Sequence, residues 1–426
     1  MPEPLPDLLG DLFRHRYAQL VASLCRGLGP GQLDLVEDVV QEALLRALRS
    51  WPASGVPEQP EAWVFRVARN LAVDTLRRHR TAARLTAELP RPAPEAVAPE
   101  RDEPDDPANL ADDTLRMLFL CSHPAVPADA RVPLILKTVC GLGVPAIAAA
   151  LLQKEATIAQ RLVRAKAKLQ RDGVAFTMPT AAELPARLEL VLQVLYLLFN
   201  EGYRAHRGAQ LVQRELVDEA LRLAALLAEQ PRTDGPALRA LLALMLLLGA
   251  RLPARTDAAG ELLTLAEQDR RRWDRRWLQC GFHHFAQSLR GSTFTVYHGE
   301  AAIASLHATA PTYAATDWPR ILAEYDRLLQ LAPSPVVALN RAIAMGKVHG
   351  AARALIELQG LAHDPALADY FLLPTTIAHL HWELGDPAAA AAALAQALRL
   401  PCSEPERRLL ERRLQACRAG ERPAPW

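Results

Sequence analysis

The run Gly141-Leu-Gly-Val-Pro145-Ala-Ile-Ala-Ala-Ala-Leu-Leu-Gln153-Lys154-Glu-Ala-Thr157-Ile-Ala-Gln160-Arg161-Leu-Val-Arg164-Ala-Lys-Ala-Lys168-Leu-Gln-Arg171 decides how the chain is read. Its first part predicts a short helix, because Pro145 suits a first helical turn, where no backbone N–H is needed. Gln153-Lys154 predicts a brief connection, and a second helix follows from Glu155 to Arg171. At about 100° per residue, Thr157, Gln160, Arg161, Arg164, Lys168 and Arg171 share one arc of about 100°. Ile158, Leu162, Ala165 and Leu169 lie on the adjoining side, where they would face a core. Two short helices, the second with an apolar back and a basic front, predict a helix-turn-helix. The second helix of such a unit enters the DNA major groove with its N-terminal residues toward base edges. A helical hairpin with a solvated face is the plainer alternative, and the one-sided charge argues against it.

Upstream, Pro60 precedes a predicted helix over Glu61–Arg80. Arg66, Arg69, Asn70, Val73, Arg77 and Arg80 fall on one face at about 100° per residue, with Asp74 and Arg78 at its edge. Val64, Val67, Ala68 and Leu71 fall opposite and would pack inward. Arginines neutralise phosphates, and an asparagine amide can read a base edge. Further upstream, Asp34–Leu48 reads as an amphipathic helix. Val36, Val40, Ala43 and Ala47 form its inward stripe, while Asp38, Gln41, Glu42 and Arg46 project elsewhere.

Composition fits this helical picture. The 426 residues suffice for two to four domains, at roughly 100–200 residues each. Half are hydrophobic and 23% charged, which excludes whole-chain disorder and collagen-like repeats. Alanine and leucine, both strong helix formers, dominate, and period-two alternation is nowhere sustained. The fold class is therefore predicted to be all-α. A net charge of +1 excludes a general polycation. Regionally, residues 83–109 carry −4 and residues 110–173 carry +4. The six prolines between Pro90 and Pro107, with their carboxylates, predict a linker over 83–109 that cannot bury a core alone.

That linker would separate a domain over 8–82 from one over 110–173. After Pro179 and Pro185 an Ala/Leu-rich helical domain is predicted over 184–420. Within it Gly346 and Gly385 each precede an Ala-rich stretch, 39 residues apart. That is the logic of stacked helical hairpins, whose usual period is about 34. The six cysteines form no C-x-x-C pair, which fits a reducing cytoplasm. The first residues lack a signal-peptide pattern, and runs such as Leu241–Ala250 are too short for a membrane span.

Three segments, in order, resemble a known family. Glu37-Asp38-Val-Val-Gln41-Glu42-Ala-Leu-Leu-Arg46-Ala-Leu48 looks like the core-polymerase-binding helix of bacterial sigma factors. Trp63-Val-Phe-Arg66-Val-Ala-Arg69-Asn70-Leu-Ala-Val-Asp74-Thr-Leu-Arg77-Arg78 resembles their −10 helix. Residues 143–166 are similar to their −35-binding helix-turn-helix. Without an intervening domain, this is the layout of the extracytoplasmic-function (ECF) subfamily of the sigma-70 family. The C-terminal part, with Phe199-Asn-Glu-Gly-Tyr203 and the later hairpins, resembles the group with a tetratricopeptide-like extension.

The resemblance implies two small helical domains, sigma regions 2 and 4, joined by a linker and followed by a helical regulatory domain. It implies core RNA polymerase, through its β′ coiled coil and β flap, and promoter DNA as partners. It gives Asp38, Gln41, Glu42 and Arg46 to the polymerase. It sets Arg66, Arg69, Asn70, Asp74, Arg77 and Arg78 against the −10 element, and Thr157, Gln160, Arg161, Arg164 and Lys168 against the −35 element. A regulatory protein or an intramolecular contact would act through the extension. Neither cofactor, metal nor catalytic residue is expected: Cys121-Ser-His123 lacks a second half at ligand spacing, and no Gly-rich phosphate loop appears. The competing expectation is a helix-turn-helix regulator with a helical interaction scaffold that does not bind polymerase. Asp38–Arg46 followed by the Arg-rich helix discriminates, because such a regulator needs neither.

Overall fold

Helical periodicity of alanine and leucine is realised along the chain. The computed structural model describes residues 17–86, 107–151, 153–204, 212–421 and 423. Among the described residues there are eighteen α-helices and no strand, with one isolated antiparallel bridge between Thr256 and Leu262. The chain divides into two compact units, Met1–Val194 and Leu195–Trp426.

The first unit opens with α1 (Tyr17–Leu28), α2 (Leu33–Ser54) and α3 (Pro60–Thr86). Helix α2 buries its predicted stripe completely: Val36, Val40, Ala43 and Ala47. Trp51 and Trp63 meet edge to face, ring centres 5.4 Å apart, where α2 packs on α3. Helices α4 (Pro107–Cys121), α5 (Ala128–Thr138), α6 (Val144–Ala150) and α7 (Glu155–Asp172) follow. Helix α4 packs on α1, so both predicted N-terminal domains share one compact unit. The helices also reach into the predicted linker. Ala82, Ala83 and Leu85 favour helix, so α3 continues to Thr86. Pro107, lacking an N–H, is suited to open α4. The acidic, proline-rich residues 87–106 lie outside the described residues, as do the side chains of His79 and Arg80.

Helix α8 (Leu184–Tyr203) spans the division between units. The second unit continues with α9 (Arg214–Glu229), α10 (Pro236–Gly249), α11 (Arg275–Ser288) and α12 (Val296–Thr309). Helix α10 is the centre of this group, packed on α9, α11 and α12. Pro236–Ala254 is long and apolar enough to cross a membrane by composition, longer than the sequence suggested, but 67% of it is buried in the unit. Gly249 makes the close packing possible: a Cβ there would lie 2.5 Å from Trp277 Cζ3.

The remaining helices are α13 (Trp318–Leu331), α14 (Pro335–His349), α15 (Ala351–Leu361), α16 (Leu372–Glu383), α17 (Pro387–Ala397) and α18 (Glu404–Ala419). Successive pairs pack as hairpins with their own apolar clusters, such as Leu339, Ala354, Leu358 and Leu380. The turn glycines are Gly350 and Gly385, at φ 89° and 78°, a left-handed conformation that costs glycine little. Gly346, which the sequence suggested as the first turn, lies inside α14. There its missing side chain lets Ala354 and Leu380 approach. The turns therefore recur after 35 positions.

Candidate nucleic-acid interface

Burial fixes the phase of α3. Val64, Ala68 and Ala72, one turn apart, are fully buried, while Val67 and Leu71 are half-buried. That leaves Arg66, Asn70, Asp74, Arg77 and Arg78 exposed and Arg69 half-buried. The Arg78 guanidinium folds back, with Nη2 donating to Thr75 Oγ1 at 3.1 Å. Asn70 and Arg77 carry the predicted combination of amide and cation on one outward face.

Helix α2 presents Asp38, Gln41 and Arg46 exposed and Glu42 half-buried, beside exposed Leu45 and Leu48. Arg46 Nε donates to Glu42 Oε1 at 3.0 Å, an i,i+4 pair on the helix surface. Arg46 also lines an open hollow of about 420 Å³ with Arg49, Ser50, Trp63 and Val67. The tertiary structure thus brings one predicted polymerase residue to the helix predicted to meet DNA. Sequence periodicity missed Arg49. Its signal was available: Arg46 and Arg49, three apart, share a helix side.

Helix α7 buries Ile158, Leu162, Ala165 and Leu169 against α5 and α6. Gln160 and Arg164 are exposed, and Thr157, Arg161 and Lys168 are half-buried. The cations are partly balanced within their own region. Arg161 Nε lies 2.9 Å and Arg164 Nη2 3.4 Å from Asp129 Oδ2, at the start of α5. Lys168 Nζ lies 2.8 Å from Asp172 Oδ2. Exposed pairs of this kind contribute about 0–1 kcal/mol, so a phosphate can replace the carboxylate at little cost.

Lys166 behaves differently, and the sequence did not single it out. It lies about 180° from Thr157 around α7, at the margin of the core stripe. Its Nζ donates to Glu37 Oε2 at 2.6 Å and to Asp34 Oδ1 at 2.8 Å, both on α2. Glu37 is buried and also accepts from Thr138 Oγ1 on α5 at 2.9 Å. Burial opposes the Lys166 charge, but Glu37 and Asp34 outweigh it and hold its pKa above the ordinary lysine value. Arg26 on α1 pairs at 3.3 Å with Asp113 on α4, whose side chain is fully buried.

Cys121 is buried, and the Ser122 hydroxyl donates to the Phe119 carbonyl. Among the described residues no group of three His, Cys, Asp or Glu side chains is arranged to hold a metal ion.

Comparison with known proteins gives two family matches. Residues 13–82 match the sigma-70 region 2 family. Residues 187–289 match a family of unknown function, DUF6596. The chain is 39% identical over 381 residues to the uncharacterized protein R00370 of Rhizobium meliloti (strain 1021), covering 88% of each chain. No solved structure matches the chain.

Proposed function

The chain belongs to the sigma-70 family, and from that premise we propose that it is a transcription-initiation factor that binds core RNA polymerase and directs it to −35/−10 promoters. The observation that carries this reading is the outward face of α3, inside the matched segment. Asn70 and Arg77 stand exposed there, over a fully buried Val64–Ala68–Ala72 back. Asp38, Gln41, Glu42 and Arg46 on α2 form the polymerase face. Helices α6 and α7 act as a helix-turn-helix, with Thr157, Gln160, Arg161, Arg164 and Lys168 toward the −35 element. Phosphate contacts position the protein, and a few side chains read bases. Strand opening at −10 exposes unpaired bases that need a stacking surface. The hollow beside Trp63, walled by Arg46 and Arg49, is suited to one.

The chain itself makes and breaks no covalent bond; the polymerase does that. With no domain between the two DNA-reading parts, the ECF subfamily fits best. The C-terminal hairpins, with turn glycines 35 positions apart, act as a tetratricopeptide-like regulatory array in the cytoplasm. Run-off transcription with purified core polymerase and a promoter library tests this, comparing the full chain with residues 1–175. Promoter-specific initiation by the full chain is expected. Activity of the shorter form would make the extension a brake or tether, and its silence an activating part. Absence of polymerase binding would replace the reading with a DNA-binding regulator on a helical scaffold.

A further inference from the structure

Between α10 and α11 runs a charged stretch, Glu267-Gln-Asp-Arg270-Arg271-Arg272-Trp273-Asp274, that the proposed function does not use. Asp274 shapes it. Its N–H donates to the Ala250 carbonyl at 2.8 Å, and its carboxylate caps α11 by accepting from the N–H groups of Arg276 and Trp277. That closure brings Arg251 beside Trp273. The guanidinium carbons of Arg270 and Arg251 lie 4.6 and 5.7 Å from the Trp273 ring centre, both within cation–π range. Arg255 donates to the Tyr203 carbonyl at the end of α8 and stands 4.0 Å from the Tyr203 ring centre.

Positive charge collects here without its complement. Among the described residues, none of Arg251, Arg255 and Arg270 forms an ion pair with a carboxylate. The neighbouring carboxylates are engaged elsewhere: Asp269 with Arg271 at 3.0 Å and Glu267 with the Thr264 hydroxyl at 2.8 Å. Glu406, which acts on Arg255 without pairing, is bonded to Arg204 at 2.6 Å. Arg251 Nε donates to the Gln268 amide oxygen at 3.4 Å, and Arg270 Nη1 to the carbonyls of His307 and Ala310 at 2.6 and 2.8 Å. Three buried polar atoms nonetheless have no hydrogen-bond partner among the described residues: Arg270 Nη2, Trp273 Nε1 and His307 Nδ1. The first two can only donate, and a neutral imidazole can place its proton on Nδ1. Burial, with Arg251 and Arg270 nearby, keeps His307 neutral by holding its pKa down at about 4.

A buried donor without an acceptor carries its full desolvation cost, and crowded guanidinium groups repel one another. An oxyanion relieves both. Arginine forks match its oxygens, and the bonds are charge-assisted. A carboxylate brings one negative charge, whereas a phosphate monoester brings about −1.5 to −2 and three acceptor oxygens, which suits several guanidinium groups better. Arg251, Arg270 and His307 are half-buried beside buried Arg255 and Trp273, so solvent reaches the cluster while part of it stays dry. Buried donors favour a small molecule over a phosphorylated protein segment, which must bring its backbone with it.

We propose that Arg251, Arg255, Arg270, Trp273 and His307 form a binding site in the second unit for a small molecule carrying a phosphate group. The guanidinium groups take its charge, and the Trp273 indole and His307 imidazole donate to its oxygens. The site rests on the second unit alone, so its test is independent of the polymerase reading.

Arginine modification by phenylglyoxal, read by peptide mass spectrometry on the full wild-type chain, tests the site. Glycerol 3-phosphate, added at constant ionic strength, is expected to lower the modification of Arg251 and Arg270 several-fold and saturably. Exposed Arg271 and Arg272 are expected to react as before. Protection of all four alike, or of none, would overturn the site. Equal protection by acetate would overturn the preference for phosphate, and stronger protection by a phosphoserine peptide would overturn the small-molecule ligand. Arg251→Gln gives a second readout. Glycerol 3-phosphate is expected to raise the melting temperature of the wild-type chain, as a ligand of the folded state must, and to lose that effect in the variant. An equal rise in a variant with wild-type helix content would mean general exclusion of the anion from the protein surface, and would reject the site. The modification experiment needs no variant and decides the matter if Arg251→Gln fails to fold.

Discussion

Asn70 and Arg77 share the outward face of α3, and under the proposed function they would offer DNA different things. A guanidinium neutralises a phosphate whatever the sequence, whereas an amide discriminates among base edges. Arg77→Ala is therefore expected to weaken promoter binding about equally across sequences and to lower the salt slope by about 1. Asn70→Ala is expected to relax preference at one position, at a cost of about 1–3 kcal/mol on the favoured base. Salt titrations on a small promoter panel separate the two; equal behaviour of both variants would show that Asn70 reads no base. In the second unit, Gly249 is fixed by sterics. Trp277, whose ring lies under the Arg214 guanidinium at 4.6 Å, occupies the place a Cβ would take. Gly249→Ala is expected to destabilise by about 1–3 kcal/mol in urea unfolding, the usual cost of overpacking. Both DNA-facing candidates were legible in the sequence, because a surface side chain needs only its own helix to place it. Gly249 was not, since its reason is a tryptophan 28 positions further on.

Helices α2 and α7 show periodicity translated faithfully into burial, because each carries an apolar stripe one turn apart over several turns, whereas α3 buries Val64, Ala68 and Ala72 and leaves the predicted Val67 and Leu71 half-buried. Helix α12 holds a feature that periodicity cannot reveal. Its Glu300 is half-buried, and its desolvation pushes the carboxyl up to about 7, although the Tyr196 hydroxyl, 3.1 and 2.9 Å from its two oxygens, shares its one proton with them. Between about pH 5 and 7 the folded chain therefore keeps a proton that the unfolded chain releases. Stability falls as pH rises through that window. Glu300→Gln is expected to flatten this slope and to stabilise the protein at pH 8 by up to about 3 kcal/mol. Melting curves at pH 5 and pH 8 check it; an unchanged slope would mean that Glu300 ionises as freely folded as unfolded.

At the scale of the whole molecule, the division into two compact units predicts unfolding that is not two-state. Calorimetry is expected to resolve two transitions, and Glu300→Gln should move only the one that belongs to the second unit. A single transition shifted as a whole would show one cooperative block. The sequence by itself determined the all-α class, the inward stripes of α2 and α7, and the charge contrast around residues 83–173. Each of these follows from residues within a few turns of one another. Only the tertiary structure decided that Lys166 of α7 meets carboxylates of α2, that Arg46 and Trp63 line one hollow, and that the first hairpin turns at Gly350 rather than Gly346. Lys166 meets carboxylates 129 and 132 positions away, and no local period encodes such a distance. Helical repeats specify which face of an element turns inward. Which other element covers that face depends on shape and charge complementarity between surfaces that exist only once the helices have formed.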